Sequence, residues 1–288
     1  MGARVPCATI AIAASGPHPV PPIATAYGKI RSRAGADLQY TARDAEKVFE
    51  NWREADEDVP DSLRRLLIDP RLDQVESTIR EVSRIIDQQF NAEFGVDLYF
   101  AGHGKHGTGN LVLRDGVLSP ARFLRLQADD AEKHEDTTRT VGVMLDSCYS
   151  GAFLIRLAID AYERYQCFRM DDSHVSCLPD EQCYELDVLG HGVFTYTTLH
   201  PGNASVDARS FGQAILDNDK SQIAKGLQGL VATMSSATAY LTEGRQCSLS
   251  LIKSSFLEVD GGFASSTLGE NPDFQTAVRE LTSFKIAK

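Results

Sequence analysis

The sequence predicts an α/β fold in which a mostly parallel central sheet is flanked by helices. Short apolar runs alternate along the chain with longer segments whose apolar residues recur at helical spacing. Two of the apolar runs, 96–101 and 141–145, are each followed within a few residues by a reactive side chain, His103 or Cys148. Two strands that each deliver one reactive residue at the carboxyl end can bring an imidazole and a thiol together.

Each element in the first part of the chain follows from a local pattern. Residues 8–14 form a short apolar run, typical of a buried first strand, whereas the four prolines within 15–37 predict a long loop. Apolar residues at helical spacing predict helices over 41–53 and 72–90. A short strand over 63–68 is expected between these helices.

The rest of the chain continues the alternation of strands and helices. Residues 110–119 resemble a hairpin that turns at Asp115-Gly116, and Ser119-Pro120 is typical of the start of a helix that ends near residue 133. We expect one domain over 1–262 and a C-terminal tail over 263–288. The other predicted elements are helices over 151–165, 193–199, 211–216 and 223–240, and strands over 173–177 and 248–252, the latter being the last strand.

Length and composition disfavour several classes of function. The chain has 288 residues, enough for one large domain or two small ones, and no linker rich in Ser, Gly or charge divides it. A net charge of −11 argues against a nucleic-acid partner and suits basic partners. No apolar run approaches the ~18 residues of a membrane span, so no membrane association is expected. Six cysteines without a recognisable signal peptide favour reduced thiols and a cytoplasmic location.

The residues around Cys148 carry the strongest chemical signal. An isolated cysteine at a strand end is most often a buried core residue. Cys148, however, is framed by Asp146 and Gly151 and is matched upstream by His103 in a Gly-His-Gly stretch. A cysteine beside a histidine is the minimum needed for nucleophilic attack on a carbonyl. Gly104 lets the main chain turn so that an N–H group can face that carbonyl.

These motifs resemble those of a known enzyme family. The Gly-His-Gly and Asp-Ser-Cys-x-Ser-Gly stretches are similar to signatures of caspase-like cysteine peptidases, in particular metacaspases, paracaspases and bacterial caspase-like proteins. The separation of His103 from Cys148 is close to the caspase value of about 50 residues. Segments 38–49, 191–196 and 244–246 also resemble the family, in the family's order, so the likeness extends over most of residues 5–260.

The resemblance implies a three-layer caspase-like sandwich and a role for each catalytic residue. Cys148 is the expected nucleophile, His103 the acid–base partner, and the main-chain N–H groups of Gly104 and Cys148 the expected oxyanion hole. His103 is preferred to the nearby His106 because it occupies the family position. An imidazolium beside the thiol would increase the thiolate fraction.

The resemblance also predicts an acidic S1 pocket, which holds the substrate residue before the cleaved bond (P1). Asp44 and Asp146 correspond to family positions that bind Arg or Lys, and Glu181, preceded by Asp180, resembles a paracaspase pocket glutamate. Taken singly, Asp44 is equally well explained as a favourable charge at a helix start, and Asp180 and Glu181 as solvated loop residues. The arginines with which animal caspases bind Asp have no counterpart here. Together these positions predict cleavage after Arg or Lys.

Two other kinds of site are disfavoured. Residues 102–107 match a Gly-x-Gly-x-x-Gly dinucleotide fingerprint, but a hairpin rather than a helix is predicted directly after them. Cys167, His174, Cys177 and Cys183 cluster in sequence but lack the Cys-x-x-Cys pairs that zinc prefers. We therefore expect neither a cofactor nor a metal.

The preferred function is thus a cysteine endopeptidase acting on protein substrates with a basic P1 residue. By family analogy it is a regulated effector in bacterial defence or cell death, with an activating or inhibiting protein partner. The alternative is a caspase-fold scaffold or regulatory binding protein without turnover, against which the intact Cys148 and His103 argue. Self-processing is expected in the connection over 159–174, after Arg164 or Arg169.

Overall fold

The computed structural model describes most of the chain up to residue 199 and short strands beyond it. The described residues are 7–15, 23–25, 28–33, 38–90, 95–131, 139–163, 168–170, 173–187, 189–199, 246, 249–252, 256–259 and 262–264. The helices are α1 (Thr41–Ala55), a 3₁₀ turn (Asp61–Leu63), α2 (Leu72–Gln89), α3 (Pro120–Ala131), α4 (Ser150–Glu163) and α5 (Val193–Leu199). The strands are β1 (Cys7–Ala13), β2 (Ile23–Thr25), β3 (Gly28–Ser32), β4 (Arg64–Ile68), β5 (Gly95–Gly104), β6 (Leu111–Leu113), β7 (Gly116–Leu118), β8 (Arg139–Ser147), β9 (Phe168–Met170), β10 (Ser173–Val175), β11 (Tyr184–Leu186), β12 (His191–Gly192), β13 (Leu249–Ile252), β14 (Phe256–Val259) and β15 (Gly262–Ala264).

A mostly parallel sheet forms the centre of the molecule. Strands β4, β1, β5, β8 and β10 lie side by side in that order and run parallel, and β9 also pairs with β8 in parallel. Strand β13 joins β10 antiparallel, and β14 and β15 follow it at the sheet edge. Parallel neighbours require crossover connections, which helices supply here. The predicted α/β fold with a mostly parallel sheet is confirmed.

Helices cover both faces of this sheet. On one face, α2, α3 and α4 share an apolar cluster with β1, β5 and β8, and on the other face α1 and α5 pack against β1 and β5. Alternate residues of β1 belong to the two clusters, as the strand period of two requires. The apolar stripe of α2 is fully buried, and each such side chain stabilises the fold by about 1.5–3 kcal/mol. Its members are Val75, Ile79, Val82 and Ile86.

A smaller antiparallel sheet corrects the loop predicted over 15–37. Strands β2 and β3 lie within that segment and pair with each other. Strand β3 also pairs with β11, which in turn pairs with β12, so the order is β12-β11-β3-β2. Because β11 lies far along the chain, this pairing has no local signature in the sequence. The pairing fixes the position of Arg33, the residue that follows β3.

The remaining predicted elements have mixed outcomes. The hairpin of β6 and β7 is confirmed, and Ser119 Oγ accepts a hydrogen bond from Arg122 N–H at 3.2 Å, which confirms the cap of α3. Strand β13 is the strand predicted over 248–252, but it is not the last strand, because β14 and β15 follow it. The boundary predicted after residue 262 falls inside β15. The helices predicted over 211–216 and 223–240 lie outside the described residues. Among the helices that are described, none is long and apolar enough to cross a membrane.

Candidate active site

Strands β5 and β8 bring the two predicted catalytic residues to one edge of the sheet. The strands are parallel neighbours, and Gly102 lies opposite Ser147 in their register. His103 is the next residue of β5 and Cys148 directly follows β8, and neighbouring strands lie about 4.8 Å apart. The register therefore places the ends of the two motifs side by side.

Gly104 packs directly against the main chain of Cys148. A Cβ atom added at Gly104 would lie 1.7 Å from the carbonyl oxygen of Cys148 and 2.8 Å from its carbonyl carbon. Because the obstacle is main chain and not a mobile side chain, a larger residue at position 104 would displace Cys148. The role of the two N–H groups as an oxyanion hole stays a prediction.

The chain makes a strained turn between β8 and α4. Tyr149, the residue after Cys148, has a φ of 59°, a left-handed conformation that costs a non-glycine residue of order 1 kcal/mol or more. Its N–H donates to the Glu181 carbonyl at 2.8 Å, and Gly151 N–H donates to the Cys177 carbonyl at 2.9 Å. These two hydrogen bonds hold the turn against the loop after β10 and keep the thiol at the strand end.

Three buried thiols meet at this turn. Cys148 Sγ accepts a hydrogen bond from Cys183 N–H at 3.3 Å and lies 3.9 Å from Cys183 Sγ. Burial raises the pKa of Cys177 to about 12 and raises the pKa of Cys183 well above its usual value, so both thiols stay protonated at neutral pH. Cys148 Sγ therefore lies beside a main-chain donor, and its two neighbouring thiols are neutral.

His103 is the histidine that reaches the site. Its Nδ1 donates a hydrogen bond to the main-chain carbonyl oxygen of Arg33. His106 is exposed, and its ring packs edge-on against Tyr149 with 4.8 Å between the ring centroids. His103 therefore contacts the main chain of Arg33, whereas His106 lies at the surface beside Tyr149.

A buried cluster of charges lies beside the strand ends that carry His103 and Cys148. The guanidinium of Arg33 is fully buried; Nη2 lies 2.6 Å from Asp44 Oδ2 and 3.2 Å from Glu185 Oε1, and Nη1 lies 3.6 Å from Asp146 Oδ2. Nη1 also donates to the main-chain oxygen of Asp146 at 2.7 Å. We term these four residues the Arg33 cluster. Three carboxylates facing one cation make an acidic pocket that a guanidinium fills.

Each carboxylate of the Arg33 cluster is also held by donors from other parts of the chain. The donors are His191 (2.6 Å) and Gly192 N–H (3.0 Å) for Asp44, Thr195 N–H (3.2 Å) and Oγ1 (2.7 Å) for Asp146, and the N–H groups of Gln39 (3.1 Å) and Tyr40 (3.3 Å) for Glu185. The carboxylates come from α1, β8 and β11, so several elements fix their positions. Such a pocket is preorganised for a cation.

Burial and mutual attraction set the charges in the Arg33 cluster. Burial alone would lower the pKa of Arg33, but Asp146, Glu185 and Asp44 outweigh it and hold that pKa well above its usual value. Burial also raises the pKa of Asp146 and the pKa of Glu185, and Arg33 opposes the rise in both. The guanidinium therefore stays charged, and its presence favours the ionised carboxylates.

Gly192 forms one wall of the pocket. A Cβ atom at this position would lie 2.1 Å from Asp146 Oδ2 and 2.5 Å from Arg33 Nη2. A side chain here would enter the space that the guanidinium occupies. The 191–196 motif thus contributes directly to the pocket, through the Gly192 wall and through the hydrogen bond from His191 to Asp44.

Asp180 and Glu181, also predicted for the S1 pocket, are placed differently from Asp44 and Asp146. The Glu181 carboxylate accepts a hydrogen bond from Leu178 N–H at 3.2 Å within its own turn. Asp180 is exposed. From this part of the chain, Glu185 is the residue whose carboxylate contacts the Arg33 guanidinium.

Sequence reasoning misses both Arg33 and Glu185. Arg33 lies in the segment predicted as a loop, and Glu185 lies in a stretch without a motif. The signal that could have found Arg33 is the alternation of basic residues at Lys29, Arg31 and Arg33, because a period of two is typical of a strand.

Neither a protein-family model nor a curated protein matches this chain. Within the described residues, no group of three or more His, Cys, Asp and Glu side chains could hold a metal ion. Cys167, one of the residues considered for zinc, lies outside that part of the chain.

Proposed function

We propose that this protein is a cysteine endopeptidase that cleaves protein substrates after Arg or Lys. The observation that carries the proposal is the acidic pocket beside Cys148 and His103, which the guanidinium of Arg33 fills. The thiol and the imidazole supply a reactive pair. The carboxylates supply the physical reason for a basic P1 residue.

The proposed reaction runs through an acyl-enzyme. His103 takes the proton of Cys148 Sγ, and the thiolate attacks the carbonyl carbon of the P1 residue. Main-chain N–H groups, predicted to be those of Gly104 and Cys148, stabilise the oxyanion. His103 then gives its proton to the leaving amine, and water hydrolyses the thioester to release the P1 carboxylate.

The pocket chemistry predicts an order of P1 residues. A guanidinium forms parallel hydrogen bonds with a carboxylate, whereas an ammonium acts as a point donor, so Arg is the best P1 residue and Lys the second. An Asp side chain would add a like charge to a buried acidic pocket and is rejected. Activity in a cytoplasm fits this proposal, because Cys7, Cys148, Cys177 and Cys183 are free thiols. A role as a regulated effector with a protein partner rests on the family resemblance alone.

The competing proposal is a caspase-fold scaffold without turnover. One observation favours it: Cys148 is 0% exposed and the acidic pocket is already filled. In this closed arrangement, a substrate from solution has no access to the thiol.

The test is mass spectrometry of a peptide library digested by wild type, Arg33→Ala and Cys148→Ala. The Arg33→Ala variant is included because it empties the pocket. We expect new carboxyl termini at Arg and Lys with the first two proteins and none with Cys148→Ala. If both proteins with an intact thiol leave the library uncut, the scaffold proposal replaces the peptidase.

A further inference from the structure

We propose that Cys148 and Cys183 form an oxidation site, at which a hydroperoxide converts the two thiols into a reversible disulfide that silences Cys148. Position 183 lies outside the motifs that resemble the caspase-like family. The disulfide depends only on the positions of the sulfur atoms, so it can form whether the protein is a peptidase or a scaffold. In a peptidase it is an off-switch that a change of redox conditions operates.

The sulfur atoms of Cys148 and Cys183 are already in contact. They lie 3.9 Å apart, and both side chains are fully buried. The two atoms must approach one another by about 1.9 Å to reach the length of a disulfide bond. A rotation of a cysteine side chain between staggered rotamers moves its sulfur by a comparable distance. The bond can therefore form mainly by side-chain rotation.

Main-chain hydrogen bonds keep the two thiols side by side. The N–H of Cys183 donates to Cys148 Sγ at 3.3 Å, and the carbonyl oxygen of Cys183 accepts from Arg33 N–H at 2.9 Å. Two residues earlier, the Glu181 carbonyl accepts from Tyr149 N–H at 2.8 Å. The segment around Cys183 is thus tied to the turn that carries Cys148. This arrangement gives each thiol a high effective concentration near the other.

Cys177 belongs to the same buried group of thiols but is oriented differently. Its Sγ donates to the carbonyl oxygens of Ser147 and Glu181, at 3.3 Å each. These two contacts direct the Cys177 thiol to main-chain oxygens, whereas the Cys183 sulfur contacts the Cys148 sulfur. Cys183 is therefore the expected disulfide partner, and Cys177 is its matched control.

The reaction consumes one hydroperoxide and proceeds in two steps. In the first, the Cys148 sulfur attacks one oxygen of hydrogen peroxide, the O–O bond breaks, and a sulfenic acid and water are formed. In the second, the Cys183 sulfur attacks the sulfenic sulfur, the S–O bond breaks, and the hydroxyl group leaves with the Cys183 proton as water. The two thiols are oxidised and the peroxide is reduced. A thiol reductant reverses the change by thiol–disulfide exchange.

The disulfide protects Cys148 from irreversible oxidation. A sulfenic acid is oxidised further to a sulfinic acid only when a second peroxide molecule arrives, whereas condensation with Cys183 occurs within one molecule. Thiols that react in this way with a neighbouring resolving cysteine are typical of redox sensors. In a reducing cytoplasm such disulfides are transient, so the site would be oxidised only while peroxide is present.

The test is peptide mapping of the full chain after treatment with hydrogen peroxide. The treated protein is denatured in an alkylating reagent, which blocks free thiols, and is digested without reduction. Trypsin leaves Cys177 and Cys183 on one peptide, because no Lys or Arg lies between them, so a protease that cuts after Glu181 is added. We expect a Cys148–Cys183 cross-linked peptide that rises with peroxide and disappears when the treated protein is first incubated with dithiothreitol.

Two serine variants separate the resolving thiol from its neighbour. Cys183→Ser has no resolving thiol, so no cross-link forms, and Cys148 accumulates as a sulfinic acid that dithiothreitol does not restore. Cys177→Ser keeps a hydroxyl donor for the two main-chain oxygens and forms the cross-link as wild type does. The measured quantity is the fraction of Cys148 that can be alkylated after peroxide and then dithiothreitol. This fraction stays high in wild type and Cys177→Ser and is lost in Cys183→Ser.

The same measurements can overturn the proposal. A cross-link from Cys148 to any cysteine other than Cys183, or a disulfide between two chains, would do so. Wild type whose Cys148 becomes sulfinic acid without passing through a disulfide would also contradict it, as would equal recovery of Cys148 in wild type and Cys183→Ser. None of these readouts uses peptide hydrolysis, so the result is independent of the proposed function.

Discussion

At the scale of single residues, Cys148 and His103 are expected to act as one unit. Replacing either by Ala removes the nucleophile or its acid–base partner, so both variants should lose peptide hydrolysis by a similar factor, at least about a thousandfold. Hydrolysis of a fluorogenic Arg peptide measures this loss. The matched control is His106→Ala, because His106 is exposed and packs on Tyr149. Loss of activity in His106→Ala with activity retained in His103→Ala would reverse the assignment.

Replacing Asp146 is the most direct way to change the P1 preference. Loss of one charge-assisted contact to a P1 guanidinium, about 1.5–3 kcal/mol, should lower kcat/KM for Arg peptides by about ten- to a hundredfold in Asp146→Asn. The same change relaxes the rejection of Asp at P1. Fluorogenic peptides that differ only at P1 measure both effects, with the exposed Asp58→Ala as a control for charge alone. An Arg preference that is unchanged in Asp146→Asn would show that the pocket lies elsewhere.

The sequence predicts the residues of the site that lie in motifs and misses those placed by long-range pairing. Cys148, His103 and Asp146 lie at or next to the carboxyl ends of the neighbouring strands β5 and β8, so the register alone places them at one edge of the sheet. Arg33 and Glu185 meet because β3 pairs with β11, and that pairing depends on the tertiary fold, not on a local pattern.

At the scale of elements, Arg139 joins β8 to two helices. Its buried guanidinium donates to Asp87 and Ser83 of α2 and to the main-chain oxygen of Gln127 in α3. Arg139→Ala leaves the largely buried Asp87 carboxylate without its cation, and we expect a loss of about 3–5 kcal/mol in the free energy of unfolding. Urea denaturation in the Cys148→Ala background, which excludes self-cleavage, measures this loss.

The control for Arg139→Ala is Lys47→Ala, which removes a cation from an exposed pair with Glu50 on α1. An exposed pair contributes about 0–1 kcal/mol, so this variant should unfold almost as the parent does. An equal loss in the free energy of unfolding for the two variants would mean that the contacts of Arg139 with α2 and α3 do not stabilise the fold.

The elements themselves differ in how far the sequence specifies them. Helices α1 and α2 carry apolar stripes at helical spacing, and their predicted bounds agree with the structure within two residues. Strands β2 and β3 are short, and they are stabilised by pairing with each other and, for β3, with β11. Because this stabilisation is not local, the prolines that precede the two strands lead to the prediction of a loop.

At the scale of the whole molecule, the Arg33 cluster couples stability to pH. Burial raises the pKa of Asp146 and of Glu185 in the folded state. The stability that these two carboxyl groups contribute is therefore fully present below about pH 4, near their pKa in the unfolded chain, and is lost as the pH rises through their pKa in the folded protein. Arg33 limits this loss. In the Cys148→Ala background, Arg33→Ala should therefore reduce the free energy of unfolding more near neutral pH than near about pH 5.

Denaturation of the two proteins across pH measures this difference, with the exposed Arg53→Ala as a control for net charge. Arg33→Lys, which keeps a cation, should fall between parent and Arg33→Ala. A destabilisation by Arg33→Ala that is the same at all pH values would show that the carboxylates do not depend on Arg33 for their charge.

The central claim is that Cys148 is a nucleophile beside a pocket for a basic side chain. The most direct measurement is covalent labelling with two peptide acyloxymethyl ketones that differ only in Arg or Asp at P1, followed by peptide mapping in a mass spectrometer. We predict that the Arg probe modifies Cys148 in pre-incubated wild type and in Arg33→Ala, that Cys183 stays unmodified, and that the Asp probe labels neither cysteine. Equal labelling by the two probes, or no labelling of Cys148 by the Arg probe in either protein, would contradict it.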